Sequence, residues 1–316
     1  VAKHLTSNSL IASVKRRAML PQTQATFKED DFLAFANEEM DMGIVPHILS
    51  YHEDYLLHEA YIPMSPSISD YAIPYRATGN KVREISYVDT SGNVFEMTRV
   101  TVEDLPYYQN GSSGTNGNGI RAFYIEGDEI IILPTGRHGL TGQLKISYYL
   151  RPNSIVSESR ISTITAIDRT TGVITVNNVP SNLITASEMD FLQTKSPHKR
   201  LAIDITPTAV DVTGKTYTFD VDSIPTNLVV GDQLALSEEC MIPNIPDDLH
   251  SMLAQRVACR CLESLGDQQG LQAANMKLAE MEIKTGQIID DRVEGAPLKV
   301  VNRHGFLRMS RRMLRR

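Results

Sequence analysis

After Glu294 this 316-residue chain has no acidic residue. The stretch that follows carries Lys299, Arg303, Arg308, Arg311, Arg312, Arg315 and Arg316, while the whole chain counts 31 Lys+Arg against 38 Asp+Glu. Setting those seven cations aside leaves 24 against 38, so an acidic body of net −14 ends in a basic arm. Charges of one sign at this density repel one another and form no core of their own. Val300, Val301, Phe306, Leu307, Met309, Met313 and Leu314 interleave them. That mixture suits an arm that orders against an acidic protein surface or nucleic acid; the alternative is a solvated tail. Cysteine is scarce too. Cys240, Cys259 and Cys261 make an odd number with no framework spacing, which reads as free thiols and a reducing place of folding. No apolar run approaches the ~18 residues of a membrane span. The first twenty residues mix polar with apolar groups and show no cleavage pattern, so they do not read as a signal peptide.

Both ends of the chain carry helical periodicity. Leu10, Ile11, Val14 and Ala18 form a stripe that stops before Pro21. Thr26-Phe-Lys-Glu29 reads as a capping box, followed by Phe32, Leu33, Phe35, Ala36 and Met40 on one face, with Gly43 as the stop. Pro46 opens a third helix through Leu49 and Leu56 to about Tyr61. Near the other end Leu249, Leu253, Val257, Cys261 and Leu265 hold one helix face, and Leu271, Ala274, Leu278, Met281, Thr285 and Ile288 a second. The second seam suits packing against the N-terminal helices.

From Ser65 the period becomes that of strands. Val82–Val88 and Asn93–Arg99 flank a Gly92 turn, Ala122–Glu126 and Glu129–Leu133 flank Gly127-Asp128, and Lys145–Leu150 adds a strand. The loop 109–119 is rich in Gly and Asn, lacks the Gly-Lys-Ser/Thr ending of a phosphate loop and opens no helix, so it does not read as a nucleotide site. A weak duplication follows. Thr165-Ala-Ile-Asp168 returns as Thr208-Ala-Val-Asp211, and Pro180-Ser-Asn-Leu183 as Pro225-Thr-Asn-Leu228, at offsets of 43 and 45 residues. Each copy reads strand, Gly turn, strand, Pro-x-Asn-Leu loop, strand. One copy alone leaves a sheet face and edges open, so the two are expected to complete a small barrel or sandwich.

The predicted fold class is therefore α+β: a helical bundle from residues 1–64 and 244–295, an inserted antiparallel β domain over 65–243 (hairpins in 65–151, duplicated units in 152–243), and the basic arm 296–316. The expected bundle core is Leu10, Val14, Phe32, Phe35, Leu49, Leu56, Leu253, Val257, Leu278 and Met281.

Motifs for chemistry are missing. His47, His52 and His58 are spaced by five and six and face different ways on a helix, unlike the spacing of four that zinc helices use. The pairs Asp30-Asp31, Glu38-Glu39, Glu53-Asp54 and Asp290-Asp291 are adjacent in sequence and do not converge on one helix face. There is no Gly-x-Ser-x-Gly elbow and no Gly-rich fingerprint after a strand. The expectation is no enzyme, no metal and no cofactor. Tyrosines gather instead: Tyr71, Tyr75, Tyr87, Tyr107, Tyr108, Tyr124, Tyr148 and Tyr149 lie in or beside the first β region, which fits both strand packing and a protein interface.

Several segments resemble head-to-tail adaptors of tailed bacteriophages: Leu10-Ile-Ala-Ser-Val-Lys-Arg-Arg17, Phe32-Leu-Ala-Phe-Ala-Asn-Glu-Glu39, Ile44-Val-Pro-His-Ile-Leu-Ser50, Tyr71-Ala-Ile-Pro-Tyr-Arg-Ala77, Ala254-Gln-Arg-Val-Ala258, Leu262-Glu-Ser-Leu-Gly-Asp267, Val293–Lys299 and Asn302-Arg-His-Gly305. The resemblance implies a virion protein at the head–tail junction, made in the host bacterial cytoplasm. It implies a homo-oligomeric ring, twelvefold to match the portal. The arm would dock on the portal protein through Lys299, Arg303, Phe306, Leu307, Arg308, Arg311, Arg312, Arg315 and Arg316. Below the ring would lie tail-nozzle, tail-tube or fibre proteins, and genomic DNA would pass through the bore without sequence-specific binding. An acidic body suits that passage, because phosphate affinity is built on cations. Two other classes stay open: a tail or baseplate protein binding host-surface glycan through the tyrosine-rich β region, and an enzyme that degrades cell-wall polymer with carboxylates from distant loops.

Overall fold

The computed structural model describes residues 5–21, 23, 26–110, 122–135, 139–180 and 187–289. The basic arm and Asp290-Asp291 lie outside them, as does most of the loop 109–119. The helices are α1 (Ser7–Arg17), α2 (Glu29–Glu39), α3 (Val45–Tyr51), α4 (Leu105–Asn110), α5 (Asp247–Leu265) and α6 (Gln268–Ile289). The class is α+β, with mainly antiparallel sheets and no closed barrel among the described residues.

Two helical expectations are corrected at their ends. Thr26 and Glu29 form no capping box; α2 starts at Glu29, and Asp31 Oδ2 accepts the Lys28 N–H at 2.7 Å. Glu29, Asp30 and Asp31 then sit together in the first turn, where the helix dipole favours them. Gly43 does not stop the helix. A π turn over Met40–Ile44 carries α2 straight into α3, and Pro46 lies in the first turn of α3. Proline lacks the N–H that a regular helix needs there, and the wider turn absorbs the defect. Gly43 instead makes room: a Cβ would stand 2.5 Å from Arg256 Nη1.

The third helix also ends early, at Tyr51, and the strand period begins before Ser65. β1 (Leu57–Met64) pairs with β8 (Gly142–Leu150), which pairs in turn with β3 (Ala77–Val88) and through it β4 (Val94–Glu96). A second sheet orders β2 (Asp70–Ala72), β7 (Glu129–Leu133), β6 (Ala122–Glu126) and β5 (Thr98–Arg99). The β6–β7 hairpin matches its sequence reading residue for residue. Both sheets give side chains to one core: Ile85, Leu144 and Ile146 from the first, Tyr71, Phe123 and Ile130 from the second.

After β9 (Ser154–Ile155) the duplication becomes visible. Copy one supplies β10 (Ser162–Asp168), β11 (Val173–Val176) and β12 (Met189–Leu192). Copy two supplies β13 (Arg200–Ile205) with β14 (Ala209–Asp211), then β15 (Thr216–Thr218) and β16 (Gln233–Leu236), before β17 (Glu239–Cys240). The sheet order is β13-β12-β16-β10-β11-β15-β14. The third strand of each copy pairs with the first strand of the other: β12 with β13, β16 with β10. The repeated aspartates do one job. Asp168 accepts the Thr170 N–H at 2.9 Å, and Asp211 accepts the Thr213 and Gly214 N–H groups at 2.9 Å, each folding the turn after it. The outermost strands β13 and β14 are consecutive in the chain, joined by 206–208. Pro207 has no N–H to extend a ladder there, and the sheet wraps Phe191, Tyr217 and Phe219 without closing.

A third core joins α1, α2, α3 and α5 with residues beyond the helices: Ile155, Leu192, Ala235 and Cys240 lie in it. The chain ends thus share their core with the duplicated sheet.

Candidate functional site

The expected core residues separate by depth. Leu10, Val14, Phe32, Leu56, Leu253 and Val257 are buried in the helical core, while Phe35, Leu49, Leu278 and Met281 pack against it half-covered. The α6 seam lies chiefly along α5 and touches α3, rather than the helices before it, and Ile288 points outward. The portal-docking positions from Lys299 to Arg316 fall outside the described residues.

Most tyrosines face inward. Tyr71, Tyr87, Tyr148 and Tyr149 are buried, and Tyr108 and Tyr124 half-cover a small satellite core. The Tyr107 side chain lies outside the described ones. Tyr75 is exposed, and its hydroxyl donates to Asp204 Oδ1 at 2.8 Å. The strand alternation that raised the interface reading is thus mainly core packing. The histidines do not share one helix, contrary to the sequence reading: His47 is in α3, His52 follows its end and His58 is on β1. His47 lies 3.3 Å from Thr285 Oγ1, His52 edges Tyr55 and His58 edges Tyr148. Burial lowers the pKa of both His47 and His58.

The densest electrostatic feature centres on Arg76, in the turn before β3. Arg76 and Asp190 of β12 are 1% and 0% exposed. The guanidinium grips Asp190 with two bonds, Nη1 to Oδ1 at 3.0 Å and Nη2 to Oδ2 at 2.8 Å. It also donates to Asp204 at 2.9 Å and to Asn153 Oδ1 at 2.7 Å. Asn153 Nδ2 reaches on to Asp190 and to the Glu239 carbonyl. Burial alone would lower the Arg76 pKa, but the bonds and attraction of Asp190, with the charge of Asp204, raise it overall. The hub therefore pins the first pair of sheets to the duplicated sheet and to the β9–β17 pair. Its carboxylates are locked to a cation, which is the arrangement of a fastener rather than of an acid and base that exchange protons.

A second ionic group lines a cavity of about 220 Å³ between α2, α5 and α6, with Glu39, Arg256, Cys259, Arg260, Glu263, Leu271, Asn275 and Leu278 in its walls. Arg260 Nε donates to Glu39 Oε1 at 2.6 Å and Arg256 Nη1 to Glu39 Oε2 at 3.1 Å. Arg256 also pairs with Glu282, and Arg260 with Glu38 and Glu263. Four carboxylates surround the two guanidiniums, and the cavity wall itself is balanced, with Glu39 and Glu263 against Arg256 and Arg260. Burial raises the Cys259 pKa, which keeps its thiol unreactive. Among the described residues no three His, Cys, Asp or Glu side chains are placed to hold a metal ion, and no helix is long and apolar enough to cross a membrane.

The last feature was hidden from the sequence. α1 ends in a Schellman motif: the Leu20 N–H donates to the Lys15 carbonyl at 2.8 Å and the Met19 N–H to the Arg16 carbonyl at 3.4 Å. The left-handed position belongs to Met19, at φ 54°. Glycine is the usual occupant; a side chain there costs roughly 1–2 kcal/mol. Met19 is 91% exposed, so its side chain returns little of that cost within its own subunit.

No protein-family model matches the chain, and no curated protein matches it significantly.

Proposed function

We infer that this chain is a structural ring subunit of a tailed bacteriophage, sitting at the head–tail junction between the portal and the tail. The observation that carries the reading is the acidic body followed by an acid-free, apolar-and-basic segment after Glu294. The segment resemblances quoted above support it. So does the Arg76 hub, since a subunit that transmits load between two machines benefits from cores that are fastened to one another. In this proposal the helices α1, α2, α3, α5 and α6 form the bundle that packs against neighbouring copies, twelve to a ring. The arm 296–316 docks on the portal, its guanidinium forks pairing with carboxylates and its apolar residues filling grooves. Copies in a ring act together, so modest affinity per arm suffices. Tail-nozzle, tail-tube or fibre proteins bind below, and DNA passes through without being gripped. The role is structural, with no catalysis and no cofactor, in a virion protein made in the host bacterial cytoplasm.

The test is electron microscopy of the purified full chain, with and without residues 298–316, mixed with portal-bearing heads. Rings that attach to heads only when the arm is present support the reading. A protein that forms no rings and leaves heads bare overturns it. Binding of the isolated β region to a glycan array, or clearing of cell-wall polymer in a zymogram, would instead favour the other two classes.

A further inference from the structure

We propose that His250 is the catch of a pH-sensitive latch that holds the chain at Leu5 against α5 and lets it go when the pH falls. The proposal stands apart from the ring reading and applies to a single copy of the chain.

The catch consists of one buried ring and one backbone N–H. His250, near the start of α5, is 0% exposed. Its Nδ1 accepts the Leu5 N–H at 2.9 Å, across 245 residues of sequence. A ring nitrogen accepts only when it carries no proton. The proton of the neutral ring therefore sits on Nε2, which lies 3.3 Å from the Ile245 carbonyl oxygen. A second proton has to go to Nδ1, where it meets the Leu5 N–H head-on. Two donors then face each other and the bond is lost. The Leu5 side chain packs against the helical core, so opening the latch also uncovers an apolar group.

Two residues on, the chain is fastened by other means. The Ser7 N–H donates to the Met241 carbonyl at 2.9 Å, and Thr6 caps α1 by accepting the Ser9 N–H at 3.4 Å. Neither bond involves a group that titrates between about pH 5 and 8. The hinge is thus at Thr6-Ser7, and α1 stays in place when Leu5 is freed.

The charged surroundings favour the same response. From the turn between β12 and β13 comes His198, 3% exposed, with its ring centroid 6.3 Å from that of His250. His198 Nε2 lies 3.2 Å from Asp247 Oδ1, so a proton taken up there meets a carboxylate. A charge on His250 as well would set two imidazolium rings side by side in a buried place, and opening to water relieves both that repulsion and the facing donors. Tyr55, from the stretch after α3, feels Asp247 and Arg200; its phenol, pushed up to about 12, is neutral throughout this range. The closed latch holds no proton on Nδ1, while a released ring takes one up near the ordinary imidazole value of ~6.5. The closed form is therefore fully favoured above that pH, and release grows about tenfold for each unit below it.

Amide exchange in the full chain, labelled with ¹⁵N-leucine and read by NMR, tests this. Each rate is divided by the intrinsic rate at the same pH, so the chemistry of exchange cancels. Protection of the Leu5 N–H should be level above about pH 7 and fall about tenfold by about pH 5.5, while the Leu253 N–H in the middle of α5 keeps its protection. In His250→Asn the amide oxygen stands in for Nδ1 and does not titrate, so Leu5 should stay protected and level with pH. The ring ¹⁵N shifts of His250 in the wild type at neutral pH should show a bare Nδ1 and a protonated Nε2, a reading that needs no variant. Equal Leu5 protection at both ends of the pH range, or a proton found on Nδ1, overturns the latch. A fall at Leu253 as large as that at Leu5 also overturns it, since the whole fold would then be opening. So does a His250→Asn chain that still loses Leu5 protection in acid, because another group would carry the effect.

Discussion

Replacing Arg76 by methionine should be among the most damaging single changes in the body of this protein. The wild-type guanidinium donates to both oxygens of Asp190, to Asp204 and to Asn153. Methionine occupies much of the stem's space and makes none of those bonds. Asp190 is then left fully buried with neutral donors only: Asn153 Nδ2 at 2.7 Å, the Asp204 N–H at 3.0 Å and the Glu238 N–H at 3.4 Å. Removing one partner of a buried ion pair costs about 3–5 kcal/mol. The three surviving donors place this case toward the lower end, near ~3 kcal/mol. Joint replacement, Arg76→Met with Asp190→Leu, removes the stranded charge and should recover most of the loss. The chain has no tryptophan, so unfolding in urea is best followed by the near-ultraviolet circular dichroism of its 12 tyrosines. If Arg76→Met lies within about 1 kcal/mol of wild type, or the double variant is worse than the single, the hub is not the fastener described here.

Other expectations follow from single positions. Gly172 has φ 73°, and a Cβ there would stand 2.1 Å from the Phe219 carbonyl oxygen, a backbone atom that cannot step aside. Gly172→Ala should cost about 3 kcal/mol in urea unfolding, and Gly92→Ala, open to solvent at φ 84°, only about 1. Burial pushes the Tyr55 phenol up to about 12, against weaker opposing attraction from Arg200. The neutral phenol is the form the fold favours, so its contribution is whole below pH 10 and is lost as the pH rises from there toward 12. Absorbance at 295 nm should show a late-ionising tyrosine that Tyr55→Phe removes; an unchanged titration curve would refute the assignment. Cys240 and Cys261 are buried, with their thiols pushed up to about 12 and about 11 by burial. Neither should react with an aromatic disulfide reagent at pH 8 until urea is added, and prompt labelling of the native protein would contradict this burial. A piece covering 57–243 keeps β1 on β8 and should melt cooperatively at a higher temperature than 66–243, which exposes the β8 edge; equal melting would show that β1 adds nothing to that sheet.

Much of the fold was legible where local periodicity and turn chemistry agree. The β6–β7 hairpin has alternation on both arms and Gly-Asp between them, and the α5 face needs only its apolar spacing. The reading failed where two local signals conflict. Gly43 and Pro46 both signal a break, yet a single π turn satisfies both and the helix continues. Tyr55, Leu56 and Ala60 fit helical spacing, but β8 offered a partner that Leu57–Met64 could pair with, and tertiary pairing overrode the local pattern. Neither feature of the candidate site had a local signature. Arg76 finds Asp190 and Asp204 at separations of 114 and 128 residues, which no window along the chain spans. Met19 in a glycine's position shows only once the backbone is seen, because methionine is not a turn signal.

The exchange of third strands between the two copies also sets the order in which the chain can fold. Ser162 meets Leu234 across the β10–β16 ladder, and Thr163 meets Gln233, so the first copy finds that neighbour only when the end of the second has arrived. Contacts this distant in sequence make folding slow, because loop-closure entropy is spent before any ladder returns it. During synthesis, β10 and β11 emerge as a hairpin with an open edge and wait for most of the remaining sheet. The aspartate-folded turns at Asp168 and Asp211 are local and form early, which gives each hairpin its register before its long-range partner exists. Lengthening the connection after β12 should therefore slow refolding more than it lowers equilibrium stability, since each doubling of a loop adds only about 0.6 kcal/mol.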